Sequence, residues 1–202
     1  MSDERENDLH GNAPDHAHTA ILLVDVINDL EFPEGEQMLP HALKMAEAIA
    51  RLCARARRDR MPVVYVNDNF GKWQSNFNSI LEHVIEDGTR GEPIVRRITP
   101  DAEDYFVLKP KHSGFYSTTL DTLLSHLGAR NLIIGGIATN SCVLFTASDA
   151  YMRDYRLFVP RDCSVGHSEE EHRVALTLME RTLKADTRPA EEIDLTREDA
   201  SV

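Results

Sequence analysis

The chain has 202 residues, 42% of them apolar and 28% charged, enough for one α/β domain with a full core and too few for two. Its formal net charge of −12 argues against nucleic acid or an anionic membrane as a partner, since both repel an acidic surface. No apolar run approaches the ~20 residues that span a bilayer, and three widely spaced cysteines suggest neither a disulfide framework nor a zinc site, so a reducing cytoplasm is the expected location.

The opening MSDERENDLH is polar and acidic, unlike a signal or transit peptide. Residues 1–18 hold no apolar cluster and read as a flexible tail in which His10, His16 and His18 are solvated. From Thr19 to Asp25 an unbroken apolar run ends in an acid. Absence of alternation marks a strand covered on both faces, as in a parallel sheet. Asp25 then sits at the end where open parallel sheets bind ligands, unless it is a turn former like Asn28 and Asp29. Residues 39–60 have helical periodicity, with Leu43, Ala46, Ala50, Cys53 and Ala54 on the apolar side, which places Cys53 in the core.

Residues 62–66 form a second strand running into Asn67, Asp68 and Asn69. The loop beyond carries Phe70 and Trp73, aromatics suited to walling a pocket or to covering the edge of the core. A short helix is expected near 79–85. Residues 104–109 are a third strand ending in Lys109, and a helix over 120–127 stops at Gly128. Residues 131–134 are an apolar strand closed by Gly135 and Gly136, after which a helix starts at or just before Cys142. Residues 156–160 give a fifth strand, with Cys163 beyond it read as packing. Ser168 and Glu171 form a capping box for a helix that runs to about 184. The folded domain is therefore expected over 19–184. An acidic tail follows over 185–202, and its residues 192–195 offer an edge strand. Strands and helices alternate, which predicts a three-layer α/β/α fold with a doubly wound, mainly parallel sheet of five or six strands.

Three strand ends carry chemistry: Asp25, Lys109 and Cys142. A carboxylate can take the proton of a thiol, and an ammonium stabilises both anions. At the start of a helix, Cys142 feels the positive end of the dipole, which favours thiolate, and lies near N–H groups able to hold an oxyanion. The plainer reading of Cys142 is a small buried hydrophobe. Asn67, Phe70, Trp73, His112 and Phe115 are candidates for the substrate pocket, with His112 read as a loop residue rather than a base.

The sequence resembles the isochorismatase-like cysteine hydrolases, which include nicotinamidases, N-carbamoylsarcosine amidase and ureidoacrylate hydrolases. The resemblance rests on Ile21-Leu22-Leu23-Val24-Asp25, on Lys109 to Phe115 with Thr118 and Leu120, and on Gly136 to Val143 with Thr146, Ala147 and Ala150. It implies a catalytic triad of Asp25, Lys109 and Cys142, a non-proline cis peptide at Ile137–Ala138, and an oxyanion hole from the backbone N–H groups of Ala138 and Cys142. It also implies a homo-oligomer, a dimer or tetramer, acting on a small-molecule substrate without a cofactor. Nicotinamidases carry metal-binding histidines after the second strand. Residues 67–73 contain none, so no metal and no nicotinamidase activity are expected. Many relatives have glutamine at the position of Ile27, and Gly114 replaces the usual alanine. The implied reaction is attack of Cys142 on a C–N carbonyl, with Asp25 moving the proton, Lys109 holding the anions and Asp25 then activating water. The alternatives are isochorismatase-type ether hydrolysis through Asp25, or a non-catalytic binding protein on the same fold.

Overall fold

The computed structural model describes residues 16–69 and 76–194. Six strands are present among them: β1 (Thr19–Val24), β2 (Val63–Asp68), β3 (Tyr105–Lys109), β4 (Asn131–Ile137), β5 (Arg156–Phe158) and β6 (Ser164–Val165). The order across the sheet is β3-β2-β1-β4-β5, with β6 pairing the last residues of β4 beyond β5. Every pairing is parallel. The helices are α1 (Gly35–Arg58), α2 (Phe77–Glu86), α3 (Glu92–Val95), α4 (Leu120–Leu127), α5 (Leu144–Tyr151) and α6 (Glu169–Thr182).

The unbroken apolar run of β1 has the reason inferred from the sequence, because both of its faces are covered. Ile21 and Leu23 join one core cluster with α1, α2 and α3. Ala20, Leu22 and Val24 join a second cluster with α4, α5 and α6. The chain therefore forms a doubly wound α/β/α sandwich, with the central strands β1 and β4 buried along their whole length. No helix among the described residues is long and apolar enough to cross a membrane.

Three boundaries differ from the expectation. Helix α1 begins at Gly35, a turn before residue 39. The tail assigned to 1–18 gives way at its last residues to ordered pairing, since Ala17 N–H donates to Leu127 and the His18 carbonyl accepts from Arg130 and Asn131. His10 lies outside the described residues. Residues 192–194 form no strand, and Leu195 lies outside the described residues. The sixth strand is the two-residue β6, too short to leave a pattern in sequence, while Ala190–Glu192 is a turn of 3-10 helix.

Residues 185–194 are packed rather than solvated. Asp186 bridges to Phe158 at the sheet edge, Asp162 accepts from the Ala190 N–H at 2.9 Å, and Ile193 is buried. The Arg55 guanidinium, on α1, donates to the carbonyls of Ala190 and Ile193 at 2.8 Å each. Charge-assisted hydrogen bonds of this kind contribute ~1.5–3 kcal/mol when a partner would otherwise lose them. Arg55→Ala is expected to lower stability by about 1–3 kcal/mol, read as a lower urea midpoint at unchanged m-value, with new proteolytic cleavage after residue 185.

Candidate active site

The site lies where the carboxyl ends of β1, β3 and β4 meet. Gly136 makes this possible. It has φ +128°, and a Cβ there would fall 1.9 Å from the Val24 carbonyl oxygen, so only glycine lets β4 run this close to the end of β1. Asp25 leaves β1 at φ 50°, a left-handed conformation that aspartate tolerates better than most residues. Its N–H donates to the Val66 carbonyl at 3.0 Å.

Lys109 reaches Asp25 from two strands away. Strands are spaced ~4.8 Å apart, and β2 lies between β1 and β3, so only a long side chain can make the crossing. The Lys109 Nζ lies 2.8 Å from Asp25 Oδ2 and 3.6 Å from Asp68 Oδ2. It donates to the Lys111 carbonyl at 3.1 Å and contacts Cys142 Sγ at 3.6 Å. Asp68 N–H donates to the other Asp25 oxygen at 2.7 Å. Lys109 is completely buried and Asp25 is 5% exposed. Burial draws the Lys109 ammonium downward, but Asp25, Cys142 and Asp68 outweigh it and its pKa is raised. Burial raises the Asp25 carboxyl above the ordinary range, with Lys109, the Cys142 thiol and the Asp68 N–H pulling it part of the way back. A carboxylate raised in this way is a better base.

Cys142 sits in a π-helical turn, Thr139–Val143, that follows the cis peptide Ile137–Ala138 and runs directly into α5. Two histidines beyond β6 hold this turn. Thr139 Oγ1 and His172 Nδ1 are 2.7 Å apart, and Asn140 Oδ1 accepts from the His167 N–H at 3.3 Å. Burial lowers the pKa of His172, which favours the neutral ring needed to accept the Thr139 proton. The sequence reading missed both clamps, because nothing in the spacing of Thr139 and His172 reveals their contact.

The thiolate expected for Cys142 is not what the surroundings favour. Burial pushes the thiol up to about 12, and the Asp25 anion adds to the effect while Lys109 opposes it. The helix dipole is outweighed because the thiol is half-buried beside a carboxylate, to which it donates. Cys53 is likewise pushed up to about 12 by burial in the core, and Cys163 is fully buried.

The loop between β3 and α4 is fastened to α5. Ser113 Oγ bonds the Asp149 carboxylate, and Gly114 N–H donates to Thr146 Oγ1 at 3.0 Å. Gly114 is more than a neutral replacement of alanine, since a Cβ there would lie 2.8 Å from Val66 Cγ1. The same loop brings His112 Nδ1 to 3.6 Å from Cys142 Sγ, with the ring stacked on exposed Phe145. The sequence reading placed His112 among the pocket candidates, as a loop residue rather than a base.

Of the expected pocket residues, Asn67 and Phe115 are corrected. The Asn67 amide is fully buried and braces the loop after β1, donating to the Ile27 carbonyl at 2.6 Å and accepting from the Ile27 N–H at 3.3 Å. Phe115 packs into the core on the α4–α6 face, near Tyr155 and beneath the Arg153 guanidinium. Phe70 and Trp73 lie outside the described residues. A groove of about 720 Å³ between α1 and the start of α6 is lined by His41, Arg51, Arg161, His167 and His172 among others, and by none of the triad. Among the described residues no three His, Cys, Asp or Glu side chains are grouped to hold a metal ion.

A parallel α/β/α fold with Asp, Lys and Cys meeting at the strand ends defines a hydrolase-type scaffold. The isochorismatase domain model matches residues 19–190, and the chain belongs to the isochorismatase family. It is 44% identical over 177 residues to the uncharacterized isochorismatase family protein YaaI of Bacillus subtilis, covering 88% of this chain and 97% of that one. It is 30% identical over 196 residues to the ureidoacrylate amidohydrolase RutB of Methylobacterium radiotolerans, covering 83% and 75%. The crystal structure of N-carbamoylsarcosine amidase from Thermoplasma acidophilum superposes with a TM-score of 0.67 at 30% identity, covering 87% of this chain and 98% of that one.

The two neighbours of the Cys142 thiol act on it with opposite sign. Asp25→Asn removes an anion that raises it, so iodoacetamide labelling of Cys142 at pH 7–8 is expected to speed up. Lys109→Met removes a cation that lowers it, so labelling is expected to slow and its pH midpoint to rise. Peptide mass mapping against pH checks both, and shifts in the same direction in the two variants would contradict the assignment.

Proposed function

We propose that the protein is a metal-independent cysteine hydrolase that cleaves a C–N bond of a small amide, urea or carbamoyl compound through a covalent intermediate on Cys142. The observation that carries this reading is the contact of one buried ammonium, Lys109 Nζ, with both the Asp25 carboxylate at 2.8 Å and the Cys142 sulfur at 3.6 Å. Base, charge stabiliser and nucleophile are thereby held in one cluster.

The sulfur attacks the substrate carbonyl as its proton passes to Asp25. Burial and Asp25 push the thiol up, which favours deprotonation in step with attack. Lys109 stabilises whichever of Asp25 and the sulfur carries the negative charge. The N–H groups of Ala138 and Cys142, at the two ends of the nucleophile turn, are assigned to the developing oxyanion. The C–N bond breaks, Asp25 returns the proton to the leaving amine, and water hydrolyses the thioester. These residues fill the proton and charge roles of the acylation half of the reaction. Amidohydrolase and amidase relatives support the same bond class.

The test is ammonia release from a panel of small primary amides, ureas and carbamoyl compounds. Cys142→Ala is expected to abolish turnover, and Asp25→Asn to lower kcat by ~10²–10⁴. Treatment with EDTA is expected to leave the rate unchanged. Ammonia release that persists in Cys142→Ala would overturn the covalent mechanism, and cleavage of a vinyl ether by wild type and Cys142→Ala but not by Asp25→Asn would instead support ether hydrolysis by Asp25.

A further inference from the structure

We propose that the groove between α1 and the start of α6 is a second binding site, for a small carboxylate with an apolar body, whose charged group is held by Arg51 and Arg161. The groove encloses about 720 Å³, within the range of sites that take a small organic molecule. None of Asp25, Lys109 and Cys142 lines it. Its apolar lining comes from one helix, through the buried Met38, Met45 and Ala48 of α1. Methionine side chains of this kind pack well against a flat or irregular apolar group.

The charges decide the class of ligand. Lys44, Arg51 and Arg161 line the groove, and among the described residues none of their side chains has an ion pair or a hydrogen-bond partner. Burial raises the Cys163 thiol while Arg51 draws it down, so the Arg51 guanidinium stands close to the segment that leads from Arg161 into β6. Three carboxylates line the groove as well, but two are engaged. Asp162 accepts from the Ala190 N–H at 2.9 Å, and Glu169 lies 3.7 Å from His41 Nδ1, which leaves Glu47. Three free cations against one free carboxylate favour an anion, and two guanidinium groups suit an oxyanion. The acids already present favour one negative charge over two.

An independent observation points to the same place. Ser164, at the start of β6, lines the groove and is 5% exposed, and its hydroxyl has no hydrogen-bond partner among the described residues. Buried hydroxyls are nearly always bonded, and a carboxylate held by Arg51 and Arg161 supplies the acceptor. The groove also borders the catalytic site. His167 and His172 line it, and the same two residues bond Asn140 and Thr139 of the nucleophile turn.

The probe is 4-fluorobenzoate, titrated into the protein and followed by fluorine NMR. Saturable binding is expected in wild type, and equally in protein whose Cys142 has been blocked with iodoacetamide. That comparison separates the groove from the catalytic site and makes the result independent of the proposed reaction. The double variant Arg51→Gln/Arg161→Gln, checked for an unchanged urea midpoint, is expected to bind at least ~10-fold more weakly, and Ser164→Ala ~3-fold more weakly. 4-Fluorobenzyl alcohol, the same body without the charge, is expected not to bind, and 4-fluorophenyl phosphate is expected to bind more weakly than the carboxylate. Binding lost on blocking Cys142, unchanged affinity in the double variant or in Ser164→Ala, or equal or tighter binding of the alcohol or the phosphate would overturn the assignment.

Discussion

The buried ammonium of Lys109 is the constraint on which the rest of the structure depends. Removing a lysine and an aspartate from water costs several kcal/mol per ion, and only good geometry with further hydrogen bonds offsets it. Lys109 has that geometry, with Asp25 at 2.8 Å and the Lys111 carbonyl at 3.1 Å. Each contact comes from a different place in the chain. The register that sets Asp68 opposite Lys109 puts a second carboxylate within reach. The loop after β3 turns the Lys111 carbonyl back onto the ammonium it follows. A slip of one residue in β3 would move the lysine to the other face of the sheet and leave Asp25 buried without its partner.

The nucleophile turn is held by a different kind of force. It has no charge pair of its own, and its position comes from hydrogen bonds to segments that follow it in the chain. His172 and His167 hold Thr139 and Asn140, while Thr146 and Asp149 tie α5 to the loop that carries His112. Helix α6 therefore serves the site without contributing to its chemistry. The sheet fixes the acid and the lysine, and the helical layer fixes the thiol and the imidazole.

The central sheet was legible because burial on both faces writes itself as unbroken apolar runs, as in β1 and β4. The meeting of Asp25, Lys109 and Cys142 was legible because each stands at or just beyond the end of a strand. The pocket was not. Asn67 and Phe115 stand beside the right strand ends, but the direction of a loop side chain is decided by tertiary contacts, and both point into the protein. The contact of His112 was hidden for the same reason, since a histidine in a polar loop carries no sign that a cysteine 30 residues later will meet it. The acidity of Cys142 was misread because the helix dipole can be inferred from local sequence, whereas burial beside Asp25 cannot. Strand β6, at two residues, has no periodicity to detect.

The upward push that burial and Asp25 exert on the Cys142 thiol also bears on its chemistry with oxidants. Peroxide and disulfides react with thiolates and scarcely with thiols. A thiol pushed toward its protonated form offers oxidants little to attack. Cys53 and Cys163, sealed in the interior, offer no resolving thiol at the surface. The burial and the Asp25 carboxylate that raise the Cys142 thiol thus also favour the form that oxidants attack least.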